Sequence, residues 1–138
     1  MPESRGRKTL IIALSSLLVL AVLGYAVWLA IPKGFDTDLS KIGNGQPALV
    51  FVYERDLVAS SRQTAEMNRE RAALEERVQL LIADTGHPEA RALISRYQVG
   101  PITFMLFDGD GSLINSWPGL STAEELRALM DQAGPALR

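Results

Sequence analysis

Polar and apolar positions separate sharply near the N-terminus. Leu10 to Ile31 is a run of 22 residues without a charge. At about 1.5 Å per residue, such a helix reaches the roughly 30 Å of a bilayer's hydrocarbon core. The pattern predicts a short leading segment at 1–9, a transmembrane helix over 10–32, a linker over 33–47 and a folded domain over 48–138. Arg5, Arg7 and Lys8 precede the run, while Lys33 and Lys41 beyond it are offset by Asp36 and Asp38. The positive-inside rule then puts the N-terminus in the cytoplasm and the domain outside it, as a single-pass protein of the inner membrane with a periplasmic or extracytoplasmic domain. A cleaved leader is the competing reading, because Gly24-Tyr25-Ala26 has a small-x-small form. The run continues through Val27, Trp28 and Leu29, however, past the roughly 7–15 apolar residues of a leader.

Beyond the linker, which its glycines and scattered charge mark as a tether, the periodicity changes. Ala48 to Tyr53 reads ALVFVY, a continuous apolar run expected of a strand covered on both faces. Leu57 to Arg77 has no Gly or Pro and is rich in Ala, Leu, Glu and Arg, which predicts one helix. Val78 to Ala83 is a second buried strand, stopped by Asp84 and Gly86. A helix starts at Pro88, where the missing N–H costs nothing, and carries Ala90, Leu93, Ile94 and Tyr97 on one face. Thr103 to Phe107 is a third strand, and Asp108-Gly109-Asp110-Gly111 supplies positive-φ residues for a hairpin into Leu113 to Trp117. Ser121 and Thr122 each have a glutamate three residues on, the capping-box pattern, before Leu126, Leu129 and Met130; the helix ends at Gly134-Pro135. The order is βαβαββα, an α/β domain with a mixed sheet and flanking helices.

Composition narrows the chemistry more than it changes this picture. Hydrophobic residues are 47% and charged ones 22% of the chain, with no cysteine and one histidine, His87. Disulfides, thiolate metal sites and dithiol exchange by the chain itself are excluded. From residue 34 onward 10 Lys and Arg face 15 Asp and Glu, an acidic balance that argues against a nucleic-acid partner. Asp108 to Ser112 looks like the start of a calcium loop, but Leu113 and Gly119 stand where that loop needs glycine and glutamate. Ser60, Ser61 and His87 lack an oxyanion motif or nucleophile elbow, and one histidine is too few for zinc. No metal or cofactor is expected.

Tyr97 to Gly119, YQVGPITFMLFDGDGSLINSWPG, resembles the thioredoxin-like superfamily, whose core has the same βαβαββα order. Gly100-Pro101-Ile102-Thr103 followed by FMLFDGDG is similar to the C-terminal domains of membrane thiol:disulfide interchange proteins. The resemblance implies a C-x-x-C motif at the start of the first helix, where this chain has Leu57-Val58-Ala59-Ser60, or Val58 to Ser61. It implies a cis-proline at Ile102, where a non-proline cis bond costs about 2.5–4 kcal/mol, and a buried acid at Phe51. All three elements are replaced.

The fold is thus expected without the chemistry. The leading expectation is a redox-inactive, membrane-anchored module, not an enzyme, that binds a protein partner through the former substrate groove: Leu57, Val58, Ser60, Ser61, Pro101, Ile102 and Thr103. The alternatives are an indirect part in thiol:disulfide exchange, such as presenting a substrate, or a small structural subunit of a membrane complex.

Overall fold

The computed structural model describes residues 3–31 and 34–137. Met1, Pro2 and Arg138, together with Pro32 and Lys33 at the junction of the expected span and linker, lie outside the described residues. The chain divides into two units between Gly34 and Phe35.

In the first unit, α1 spans Glu3–Ala30, about 42 Å of helix. The stretch Gly6–Ala30 is long and apolar enough to cross a membrane by length and composition. Its two serines do not interrupt that character, because Ser15 and Ser16 donate their hydroxyls to the Ile12 carbonyl at 2.9 and 2.8 Å. Tyr25 and Trp28, one turn apart, stack with ring centroids 6.1 Å apart.

The second unit is built on a four-stranded sheet. Its strands are β1 (Ala48–Tyr53), β2 (Gln79–Asp84), β3 (Thr103–Phe107) and β4 (Leu113–Pro118), in the order β2-β1-β3-β4. β1 pairs in parallel with β2 and antiparallel with β3, which pairs antiparallel with β4. The parallel pair needs a crossover, and helices supply it. α2 (Val58–Arg69) and α3 (Arg71–Glu75) join β1 to β2, α4 (Pro88–Tyr97) joins β2 to β3, and α5 (Ala123–Ala133) follows β4.

The unbroken apolar runs are explained by helices on both faces. Leu49, Phe51, Leu80, Ile82, Phe104 and Leu106 pack beneath Met67, Leu74, Leu126 and Met130 of α2, α3 and α5. The alternate residues, among them Val50, Val52, Leu81, Met105 and Phe107, pack against Ala90, Leu93, Ile94 and Tyr97 of α4. Phe51, where the resemblance implies a buried acid, is wholly buried and meets the Phe104 ring at 4.9 Å, which in turn stacks on Trp117 at 5.4 Å.

Four expectations need correction. The single helix over 57–77 breaks at Glu70 (φ −104°, ψ 11°). No Gly or Pro marks the break, which lies where the chain turns to bury Leu74 and Val78 in the core. The tether over 33–47 is not free beyond Phe35. Asp36 bridges Leu81 in parallel, its carbonyl accepting the Ile82 N–H at 2.8 Å, so this segment covers the edge of β2. Phe35 packs into one core layer beneath the Arg71 guanidinium, and Leu39 and Ile42 pack into the other. In the β3–β4 connection only Gly111 has a positive φ (+88°); a Cβ on Gly109 would instead stand 2.9 Å from the Gly45 carbonyl oxygen. Finally, Thr122 alone forms the capping box, with Glu125, whereas Ser121 is buried.

Candidate functional site

The expected groove lies where β1 ends, and its geometry follows from how the chain leaves that strand. After Tyr53 the chain turns through Glu54 to Asp56, closed by the Leu57 N–H donating to the Glu54 carbonyl at 3.2 Å. Leu57 is the N-cap of α2 in extended conformation (φ −104°, ψ 118°) and offers no side-chain cap. An apolar residue therefore occupies a position that usually favours Ser, Thr, Asp or Asn. Leu57 is 39% and Val58 71% exposed.

Two of the expected groove residues do not reach the surface. Ser60 is fully buried and its hydroxyl accepts the Glu54 N–H at 3.0 Å, so it ties the turn to the helix. Thr103 is buried at the start of β3. Both leave the candidate contact surface, because both are buried. Ser61 is exposed, its carbonyl accepting from the Thr64 hydroxyl, and Pro101 is exposed as well.

Ile102 carries the sharpest local feature. Its φ is +56°, a conformation uncommon for any residue with a Cβ and an outlier for a β-branched one. All peptide bonds among the described residues are trans. The backbone contacts that hold this geometry are plain: the Ile102 N–H donates to the Val52 carbonyl at 3.0 Å, and its carbonyl accepts the Gly119 N–H at 2.8 Å. Ile102 thus links the ends of β1 and β4, while its side chain packs partly into the core. A proline here would have no N–H to give Val52.

Sequence reasoning missed two residues at this end of the sheet. Leu120, between Gly119 and the α5 cap, is 54% exposed. Gln63, on α2, is fully buried; its Nε2 donates to the Ser121 carbonyl at 2.8 Å and its Oε1 accepts the Ser121 N–H at 2.7 Å. It fixes the β4–α5 connection against α2 and so brings Leu120 to the end of the sheet that carries Leu57, Val58 and Pro101. Glu66 helps by accepting the Ala123 N–H at 3.0 Å. A leucine before a helix cap reads as local packing, and a glutamine inside a helix reads as solvated, so neither carried a signal in the sequence.

The polar rim beside this surface belongs to the ends of β1 and β2. Arg55 donates to Asp84 through Nε at 3.0 Å and Nη2 at 2.8 Å, and Thr85 donates to Glu54 at 2.8 Å. Burial alone pushes the Asp84 carboxyl up. The Arg55 bonds, the Gly86 N–H and nearby His87 outweigh it and hold the carboxyl below the ordinary range. His87 Nδ1 lies 3.8 Å from Asp84, too far for a hydrogen bond. Among the described residues no three His, Asp or Glu side chains are grouped as a metal ion would need.

With this geometry in view, three solved structures give the comparison. An uncharacterized thioredoxin-like protein of Clostridium perfringens is 14% identical with a TM-score of 0.63, over 71% of this chain and 79% of that one. A thioredoxin of Thermus thermophilus is 15% identical with a TM-score of 0.62, over 75% and 88%. A thioredoxin-fold protein of Helicobacter pylori is 15% identical with a TM-score of 0.60, over 67% and 71%. The fold is thioredoxin-like. No family model matches the chain, and no curated protein sequence matches it. At these identities the thioredoxin-like likeness extends to the backbone path and not to an activity.

Proposed function

We propose that this chain is a membrane-anchored, redox-inactive thioredoxin-like module that binds a protein partner outside the cytoplasm. The observation that carries the reading is the exposed apolar surface of Leu57, Val58 and Leu120. These are the only exposed large hydrophobic residues among the described residues of the second unit, and they gather at the end of the sheet where active relatives of the resembled family carry their dithiol. Single exposed leucines mean little, but exposed apolar residues that share one end of a sheet offer an interaction surface.

The absence of any sulfur nucleophile supports redox silence, since disulfide exchange begins with thiolate attack. The length and composition of α1 support anchoring, and Arg5, Arg7 and Lys8 support an inward N-terminus. The similarity to domains of membrane thiol:disulfide interchange proteins makes a protein the natural occupant of the surface.

The test compares the tagged full-length protein with a Val58→Asp, Leu120→Asp double variant, both purified in mild detergent. Aspartate at two already exposed positions leaves the melting temperature in place and abolishes recovery of the wild-type partner. Equal recovery by both proteins would remove this surface from the mechanism and turn attention to α1. A chain shortened to begin at Gly34 separates the two further, because it keeps the packed residues from Phe35 onward.

A further inference from the structure

Two loops of the second unit meet backbone to backbone. Gly43 to Gln46 leads into β1, and Asp108 to Ser112 joins β3 to β4. The Gly45 N–H donates to the Gly109 carbonyl at 2.9 Å. A Cβ on Gly109 would stand 2.9 Å from the Gly45 carbonyl oxygen, and one on Gly111 would stand 3.1 Å from the Gly43 Cα. No side chain fits between them, so the glycines form a clasp.

Inside the clasp lies Asn44-Gly45, the one Asn-Gly pair in the sequence. This dipeptide is chemically labile because glycine has no Cβ to shield its nitrogen or to restrict the backbone. The Gly45 nitrogen, on losing its proton, attacks the Asn44 Cγ. A new C–N bond closes a five-membered imide while the Cγ–Nδ2 bond breaks and ammonia leaves. Water then opens the imide at either carbonyl, giving aspartate or isoaspartate. Water is the only co-reactant, and both residues are exposed to it.

The closed clasp opposes this reaction at both of its reacting atoms. The Gly45 N–H is engaged with Gly109. The Asn44 amide is held in a reciprocal pair with Gln79: Nδ2 donates to Gln79 Oε1 at 3.1 Å, and Oδ1 accepts from Gln79 Nε2 at 2.9 Å. Oδ1 also accepts the Gln46 N–H at 3.1 Å. Attack requires the amide to swing away from Gln79 and the Gly45 nitrogen to leave Gly109.

We propose that Asn44 is a conformationally gated modification site, silent while the glycine clasp is closed and converted to aspartate or isoaspartate when it opens. The product replaces the Asn44 Nδ2 donor with a carboxylate oxygen facing the Gln79 Oε1 acceptor, so the side-chain pair that holds the loop is lost. Isoaspartate also lengthens the backbone by one methylene where the contacts leave no slack. The change therefore holds the clasp open once it has occurred, and it loosens the segment that precedes β1.

The experiment incubates the full chain in detergent micelles at mildly alkaline pH and follows the Asn44 peptide by mass spectrometry, with native, urea-unfolded and variant protein side by side. Native protein converts more slowly than unfolded protein. Gly109→Ala forces the loops apart and raises the native rate about tenfold, the change that a loss of about 1.4 kcal/mol of clasp stability produces. Gln79→Ala frees the Asn44 amide from Gln79 and removes the Nε2 bond to the Gln46 carbonyl at 3.2 Å, but leaves the Gly45–Gly109 bond in place; it raises the rate as well, which keeps the test decisive should Gly109→Ala fail to fold. Equal rates in native and unfolded protein, or no acceleration by Gln79→Ala, would overturn the proposal. The Asn115 peptide, outside the clasp, serves as the internal reference and keeps its native rate in both variants.

Discussion

Replacing Gln63 with alanine removes a side chain that stands in for a strand. Both of its polar atoms bond the backbone of one buried residue, Ser121. The substitution leaves that N–H and that carbonyl without partners in a place from which the core excludes water. Each orphaned group costs about 1–3 kcal/mol, and the space left by the amide lets the loop relax and recover part of the sum. The expected loss is about 3 kcal/mol. With a urea slope of about 1–3 kcal/mol per molar, this moves the unfolding midpoint down by at least about 1 M at unchanged slope. Trp117, stacked on Phe104 in the core, reports the transition in a Trp28→Phe background. Two further variants separate hydrogen bonding from volume. Gln63→Leu fills the space but bonds nothing, and falls near Gln63→Ala. Gln63→Glu keeps the acceptor but loses the donor at neutral pH and regains it when the carboxyl protonates, so its deficit narrows in acid. Wild-type stability in Gln63→Leu would refute the reasoning, because Ser121 would then need no partner from α2.

Further expectations follow from the same end of the sheet. Ile102→Pro removes the N–H that bonds Val52 and demands a negative φ where the chain has +56°, so denaturant unfolding should show a loss of about 3 kcal/mol or more. The purified wild-type chain reduces insulin no faster than buffer, because no thiolate exists to attack the disulfide. Cysteines installed at Leu57 and Ser60, one helical turn apart at the α2 start, form a disulfide visible by thiol counting. Asp84 has a folded-state value held below the ordinary 3.8 by its partners. Its contribution to stability is therefore full above that value and fades as pH falls through the folded one; the stability gap between wild type and Arg55→Ala should close in acid unfolding curves. Protease added to intact spheroplasts digests the domain and spares an N-terminal tag; a protected domain would reverse the orientation assigned from Arg5, Arg7 and Lys8.

Much of the fold was legible because its signals are local. The runs at β1 and β3 are apolar on both faces, Pro88 opens α4 as its missing N–H predicts, and Thr122 with Glu125 closes a capping box. The misses share a different cause, in that each depends on a contact distant in sequence. Phe35 is polar-flanked and looks like linker until the β2 edge is there to receive Asp36. Glu70 breaks a helix of good propensity for the sake of Leu74 and Val78 beneath it. Gly109 looked like a turn glycine, yet its constraint is the carbonyl of Gly45, more than sixty positions earlier. Of the residues expected in the groove, Leu57, Val58, Ser61 and Pro101 are at the surface, while Ser60 and Thr103 are buried and Ile102 half-buried; Leu120 arrives only because Gln63 holds its neighbour.

The replacements at this end of the sheet are physically consistent with one another. A dithiol needs a helix start that exposes one sulfur and a neighbouring loop that leaves room for a substrate. Leu57 and Val58 instead present hydrocarbon there, with no charge to stabilise and no proton to move. Ile102 uses its N–H on Val52 and its carbonyl on Gly119, and Pro101 has no N–H at all. The segment opposite the helix start therefore has few backbone donors left with which to pair an extended strand. On the proposed reading, what remains for recognition is side-chain surface: Leu57 and Val58 at the start of α2, Leu120 in the β4–α5 connection and Pro101 before β3. Such a surface gains affinity from shape and apolar burial, so the absence of cysteine and the occupation of the Ile102 backbone push in the same direction. A partner that docked here through a main-chain ladder would contradict that account; one that buries apolar side chains against Leu57, Val58 and Leu120 would fit it.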